Sequence, residues 1–211
     1  RFCFEDKELN LWVGSSGGGL MRFKRRGVFS YGLESGLPER VVKAVAEEAP
    51  GQMLIGTWGR DVVRLKDGRV SALSKLSNNL FVHSLLVDRQ RTAWVGTFKA
   101  GLHLIRDLQR QVISPEDAGG ISTWGLFEDS RGRVWIGGDQ TISLFEDGRF
   151  KPHPRTGSLN LGGVLCFAED PKEGTIWAAS PDNLFRFDGA EWKEVKDSTS
   201  KSLKDIACLR V

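Results

Sequence analysis

The chain has 211 residues, 40% hydrophobic and 27% charged, and its 30 basic and 27 acidic residues leave a net charge of +3. That is enough apolar content for a folded core, but no run approaches the ~18–20 apolar residues a bilayer span needs, and no signal peptide is visible. Charges of both signs interleave, and the densest basic cluster, Lys24-Arg25-Arg26, is too small for the basic stripe that nucleic acid requires.

In chain order, RFCFED (1–6) reads as an apolar strand ending in an acid. LWVG (11–14), GLMRF (19–23) and VFSY (28–31) follow as three further strands. The same four-part pattern then recurs. First strands are VVKAVAEE (41–48), FVHSLLVD (81–88), ISTWGLFED (121–129) and VLCFAED (164–170). Second strands carry MLIG, AWVG, VWIG and IWAA. Third strands alternate apolar and polar residues, as in DVVRL (61–65), GLHLI (101–105), TISLF (141–145) and NLFRF (183–187). Fourth strands are short and more polar: RVSAL (69–73), RQVIS (110–114), RFKPH (149–153) and EWKEV (191–195). Asp67-Gly68, Asp147-Gly148 and Asp188-Gly189 mark hairpin turns before them.

The second-strand anchors, Trp12, Leu54, Trp94, Trp135 and Trp177, lie 42, 40, 41 and 42 residues apart. A fixed period near 41 with four antiparallel strands per unit is the pattern of a β-propeller. The expected fold is all-β: five four-stranded blades at about 1–40, 41–80, 81–120, 121–163 and 164–202, plus the first strand of a sixth at 203–211. Each anchor indole is expected between adjacent blades, where Trp135→Ala costs ~3–5 kcal/mol. Arg110, Lys151 and Lys193 suit an exposed fourth strand. The acids before each anchor (Asp6, Glu48, Asp88, Asp129, Asp170) are expected to accept backbone N–H bonds in a turn rather than to form a catalytic or Ca²⁺ site. Cys3, Cys166 and Cys208 show no metal or redox spacing and read as small buried hydrophobes.

The run ISTWGLFEDSRGRVWIGG with ISLFEDGRF resembles the two-component regulator propeller repeat. So do Gly96-Thr97 followed by Gly101-Leu102, and YGLESGLPERVV at 31–42. The departures are Leu54 in place of Trp, Ala178-Ala179 in place of the Val/Ile-Gly pair, and later connections that lack Gly-Leu-Pro. The resemblance implies a seven-bladed extracytoplasmic ring preceding an immunoglobulin-like domain, a membrane helix and a histidine kinase. On this reading the chain is an arc of a larger ring, and in isolation its end blades expose apolar faces.

By fold analogy, binding sites lie on the face formed by the second-to-third loops and the fourth-to-first connections. The second-to-third loops supply Trp58, Arg60, Phe98, Lys99, Asp139 and Gln140. Five residues before each acid, the first strands present Lys43, His83, Trp124 and Leu165 in one slot. Trp58, Phe98 and Trp124 suit a sugar ring or another flat apolar face, and Lys43, Arg60 and Lys99 suit carboxylate or sulfate. The expected function is a sensor segment that binds a small molecule or glycan, with no cofactor, no metal and no catalytic residues. Its other partners are the remaining blades and signalling domains of the parent chain, or a second copy as a homodimer, without nucleic acid or direct membrane contact. The alternatives are a protein-interaction scaffold, or an enzyme resembling the streptogramin lyases that uses His83 and a metal.

Overall fold

The computed structural model describes residues 2–24, 27–59, 62–73, 80–139, 141–152, 159 and 161–196. The 203–211 stub, Cys208, Arg60, Gln140 and His153 lie outside this set. The strands form five four-stranded antiparallel sheets. The first holds β1 (Phe2–Glu5), β2 (Leu11–Ser15), β3 (Gly19–Lys24) and β4 (Gly27–Tyr31). The second holds β5 (Val42–Ala49), β6 (Gln52–Thr57), β7 (Val62–Lys66) and β8 (Arg69–Ala72). The third holds β9 (Val82–Val87), β10 (Ala93–Thr97), β11 (Leu102–Arg106) and β12 (Gln109–Ile113). The fourth holds β13 (Gly125–Glu128), β14 (Val134–Gly137), β15 (Ile142–Glu146) and β16 (Arg149–Pro152), and the fifth holds β17 (Cys166–Glu169), β18 (Ile176–Ala179), β19 (Leu184–Phe187) and β20 (Trp192–Val195). Two short helical turns, Leu33–Ser35 and α1 (Pro115–Ala118), have no counterpart in the sequence reading. The second is capped by the Ser114 hydroxyl, which accepts from the Asp117 N–H.

The chain divides into two compact units, residues 1–111 and 112–211. In the first, Trp12, Leu20 and Tyr31 share a core with Val45, Met53, Ile55 and Leu65 of the next sheet. Leu54 and Val62 share another with Val82, Ala93, Val95 and Ile105. In the second unit, Trp135, Ile142 and Leu144 of the fourth sheet join Phe167, Ile176, Phe185 and Trp192 of the fifth. Each core is thus a seam between consecutive sheets, which is why period-2 alternation runs through every third strand. The glycine after the anchor permits this approach. A Cβ at Gly56 would collide with Val82, and one at Gly137 with the Val164 carbonyl.

Asp6, Asp88, Asp129 and Asp170 accept turn N–H bonds, as expected, whereas Glu48 accepts from side chains instead, and three of the aspartates do more. The anchor indoles donate to them: Trp12 Nε1 to Asp6 at 2.7 Å, Trp94 to Asp88 at 2.8 Å, and Trp135 to Asp129 at 2.9 Å. An indole N–H buried without an acceptor would be costly, so the acid belongs to the anchor as much as to the turn. The second sheet solves the same problem differently. Leu54 has no donor, and Arg64, its partner in register on β7, supplies two N–H groups to Glu48 at 2.5 Å each. Burial works to raise the Glu48 pKa, but the bonds from Arg64 and Gln52 outweigh it and hold the carboxyl below its usual range.

Three expectations are corrected. Trp177 is only half-buried, with the Arg186 guanidinium 6.0 Å from its ring, and Asp170 instead accepts the N–H groups of Lys172 and Glu173. Cys3 is exposed and Cys166 is partly so; Cys3 pairs in register with Val13, outside the core that holds Trp12. Asp67-Gly68 and Asp147-Gly148 both take positive φ, as two-residue hairpins require, whereas Phe187 pairs with Trp192 and the Asp188-Gly189 turn is a four-residue loop.

Candidate functional site

Five of the candidate residues meet at one end of the second and third sheets. Lys43 and His83 arrive there through β-bulges. Val42 pairs with Thr57 and Ala44 with Gly56, leaving Lys43 as the extra residue; Val82 pairs with Thr97 and Ser84 with Gly96, leaving His83 so. A bulge re-aims the side chain it carries, which sets Lys43 and His83 apart from the regular pairs on either side of them. Trp58 is fixed by its backbone. Its N–H donates to the Val41 carbonyl, and it bridges to Phe81 at the head of the third sheet. The Phe98 N–H donates to the Phe81 carbonyl, and Ser16 bridges to Val41. In the first three sheets each second-to-third loop is thereby stitched to the start of a first strand, so there the loops and connections share one end, as expected.

Around Trp58 the Phe81 ring lies edge-on at 4.9 Å, the His83 ring edge-on at 5.3 Å, and the Phe98 ring stacked at 6.0 Å between centroids. The Lys43 ammonium sits 4.8 Å from the Trp58 ring centre and the Lys99 ammonium 5.0 Å from that of Phe98. Both cations lie over electron-rich faces, where the ring quadrupole attracts them. Burial, assisted by the Lys43 charge, lowers the His83 pKa to about 4, so its imidazole is neutral near pH 7. Trp58 is half-buried by this company rather than an exposed loop indole. Phe81 is the member that sequence reasoning missed; its aromatic ring at the head of a first strand was the available signal.

In the second unit, Trp124 and Asp139 form a pair. The Trp124 indole donates to Asp139 Oδ1 at 3.0 Å, and the Ser122 N–H to Oδ2 at 3.0 Å. The indole leans on Gly163, where a Cβ would stand 3.0 Å from Nε1. Asp139 thus ties the start of the fourth sheet to its second-to-third loop, a structural use of a residue expected to face ligand. Among the described residues, no group of three His, Cys, Asp or Glu is placed to hold a metal ion.

Residues 118–140 match the family model described as two component regulator propeller, the same stretch that carries the resemblance in the sequence. No curated protein sequence matches the chain. The extracellular domain of a protein assigned as the hybrid two component system BT3049 of B. thetaiotaomicron superposes with a TM-score of 0.80 at 22% identity, over 96% of this chain and 30% of that one. A second such domain from that organism, BT4673, gives 0.63 at 24% identity, over 80% of this chain and 24% of the other. A catalytically inactive virginiamycin B lyase from Staphylococcus aureus, with quinupristin, gives 0.77 at 12% identity, over 98% of this chain and 73% of that one. The fold is therefore that of β-propeller blades, and the chain spans less than a third of the sensor domains it is similar to.

Proposed function

We propose that this chain, built of propeller blades and carrying the two component regulator propeller repeat, is a ligand-binding segment of an extracytoplasmic sensor in two-component signalling. Its ligand is a small molecule or glycan with acidic groups. The observation that carries this is the Trp58 cluster, where aromatic faces and two ammonium groups converge around a neutral imidazole. Aromatic rings accept the apolar face of a sugar, and the ammonium groups pair with carboxylate or sulfate. The segment itself is non-enzymatic, and transmission to a kinase belongs to other domains of the parent protein.

The test is calorimetric titration of the chain with neutral, uronate-containing and sulfated oligosaccharides of one length. Acidic members bind, and Trp58→Ala or Lys43→Ala abolishes the signal without substrate turnover. Metal-dependent turnover that is lost in His83→Ala replaces this reading with a lyase. Binding to none of the series, together with a stable protein complex, replaces it with a scaffold.

A further inference from the structure

At the opposite end of the same sheets, where the first-to-second and third-to-fourth turns lie, a groove of about 470 Å³ runs between the second and third sheets. Its floor is aliphatic: Leu73, Ala93 and Ile105. One wall is the Arg64–Glu48 pair, which stands where other sheets carry an anchor indole bonded to its acid. The other wall comes from two turns of the third sheet, through Arg91, Asp107 and Leu108.

Those turns depart from the repeat in one respect. Arg91 holds φ 64°, as Leu9 of the first sheet holds φ 61°, where the second, fourth and fifth sheets place Gly51, Gly132 and Gly174. Leu108 holds φ 63° where the second and fourth place Gly68 and Gly148. A left-handed backbone favours glycine, and Leu108 is in addition 69% exposed, so the third sheet carries a side chain at both turn positions against the backbone preference. Both line one groove. The groove between the first and second sheets, about 510 Å³, has glycine at both turn positions (Gly51 and Gly68) and is walled by Phe29 and Tyr31 instead. The Arg64 charge is committed to Glu48. That leaves Arg91 and Asp107, one cation and one anion, without side-chain partners among the described residues, beside an aliphatic floor.

We propose that this groove is a second binding site and takes a free aliphatic α-amino acid. Its ammonium meets Asp107, its carboxylate meets Arg91, and its side chain lies on Leu73, Ala93 and Ile105 beneath Leu108. The test is calorimetric titration of the whole chain with L-leucine, with 3-methylbutylamine and 4-methylpentanoate as probes that each lack one charge. L-leucine binds with a Kd on the order of 0.1 mM, and each probe is weaker by about tenfold or more. Arg91→Gly and Leu108→Gly install the residue the sister sheets use, so the melting temperature does not fall. Arg91→Gly weakens L-leucine by about tenfold and Leu108→Gly by about fivefold. No heat with L-leucine up to about 10 mM overturns the proposal. So does equal binding of either probe, or unchanged affinity in Arg91→Gly.

Discussion

The Trp135 indole donates to the Asp129 carboxylate at 2.9 Å, with both residues fully buried, and Arg133 reaches the same oxygen at 2.6 Å while lying 5.1 Å from the indole centre. The acid also accepts the N–H groups of Arg131 and Arg133. One carboxylate therefore closes the turn, satisfies the indole and neutralises the guanidinium. Asp129→Ala is expected to destabilise the chain by about 3 kcal/mol or more, because it strands several donors at once. Trp135→Phe, which keeps most of the packing and loses the N–H, costs less. Asp170→Ala, at an exposed turn without an indole bond, has little effect. Urea denaturation of the three variants orders them.

The second sheet gives a complementary prediction. Arg64 and Glu48 are about three-quarters shielded from solvent, so removing one partner leaves a poorly hydrated charge. Arg64→Ala is expected to cost about 2 kcal/mol, and a double-mutant cycle with Glu48→Ala should give a coupling of about 1–3 kcal/mol. A coupling near zero would show that Leu54 needs no replacement for the missing indole bond.

Acid should weaken the fold in two stages. His103 is buried on β11 and accepts from Arg110 Nε at 3.0 Å; burial, with the Arg110 charge, lowers its pKa to about 4. His83 is likewise lowered to about 4. Both are neutral in the folded chain while an unfolded histidine takes up its proton near pH 6.5, so stability is complete above about pH 6.5 and falls as pH drops toward 4. The slope reaches at most about 1.4 kcal/mol per pH unit for each histidine. Asp6 and Glu48, whose pKa values burial would raise but hydrogen bonds lower, hold stability that is lost only further down, as they protonate. Melting temperature against pH should therefore decline from about 6.5, and His103→Gln should flatten the first stage.

The seams predict a steric effect. Gly137→Ala drives a methyl into the Val164 carbonyl and Gly56→Ala into Val82, so each should destabilise by about 1–3 kcal/mol. Gly68→Ala meets no atom but holds a positive φ, and should cost only about 1 kcal/mol. Thermal melts of the three separate collision from backbone preference.

Much of the architecture was legible because a repeat multiplies weak signals. Five copies of apolar strand, acid, anchor and alternating strand fix the sheet order more firmly than any one copy. The six-residue spacing of Asp6 to Trp12, Asp88 to Trp94 and Asp129 to Trp135 was equally visible, and the indole bond could have been read from it. The Glu48–Arg64 exchange could not, since it joins strands whose register only the fold sets. The bulges at Lys43 and His83 were also invisible, because an extra residue leaves no mark on composition. The company Trp58 keeps was not legible either, since Phe81 and Phe98 reach it from another sheet. Trp124 and Asp139 were separate candidates in the sequence and are a single hydrogen-bonded pair in space.

The Leu54, Glu48 and Arg64 arrangement means that the five sheets are not interchangeable parts. A chimera that transplanted Trp into position 54 alone would set an indole against an arginine already holding the acid. One that transplanted the whole acid-turn-indole cassette would leave that arginine with nothing to hold. The working unit of inheritance along this chain is thus a trio spread over three strands, and any recombination that splits it makes a weaker protein than either parent.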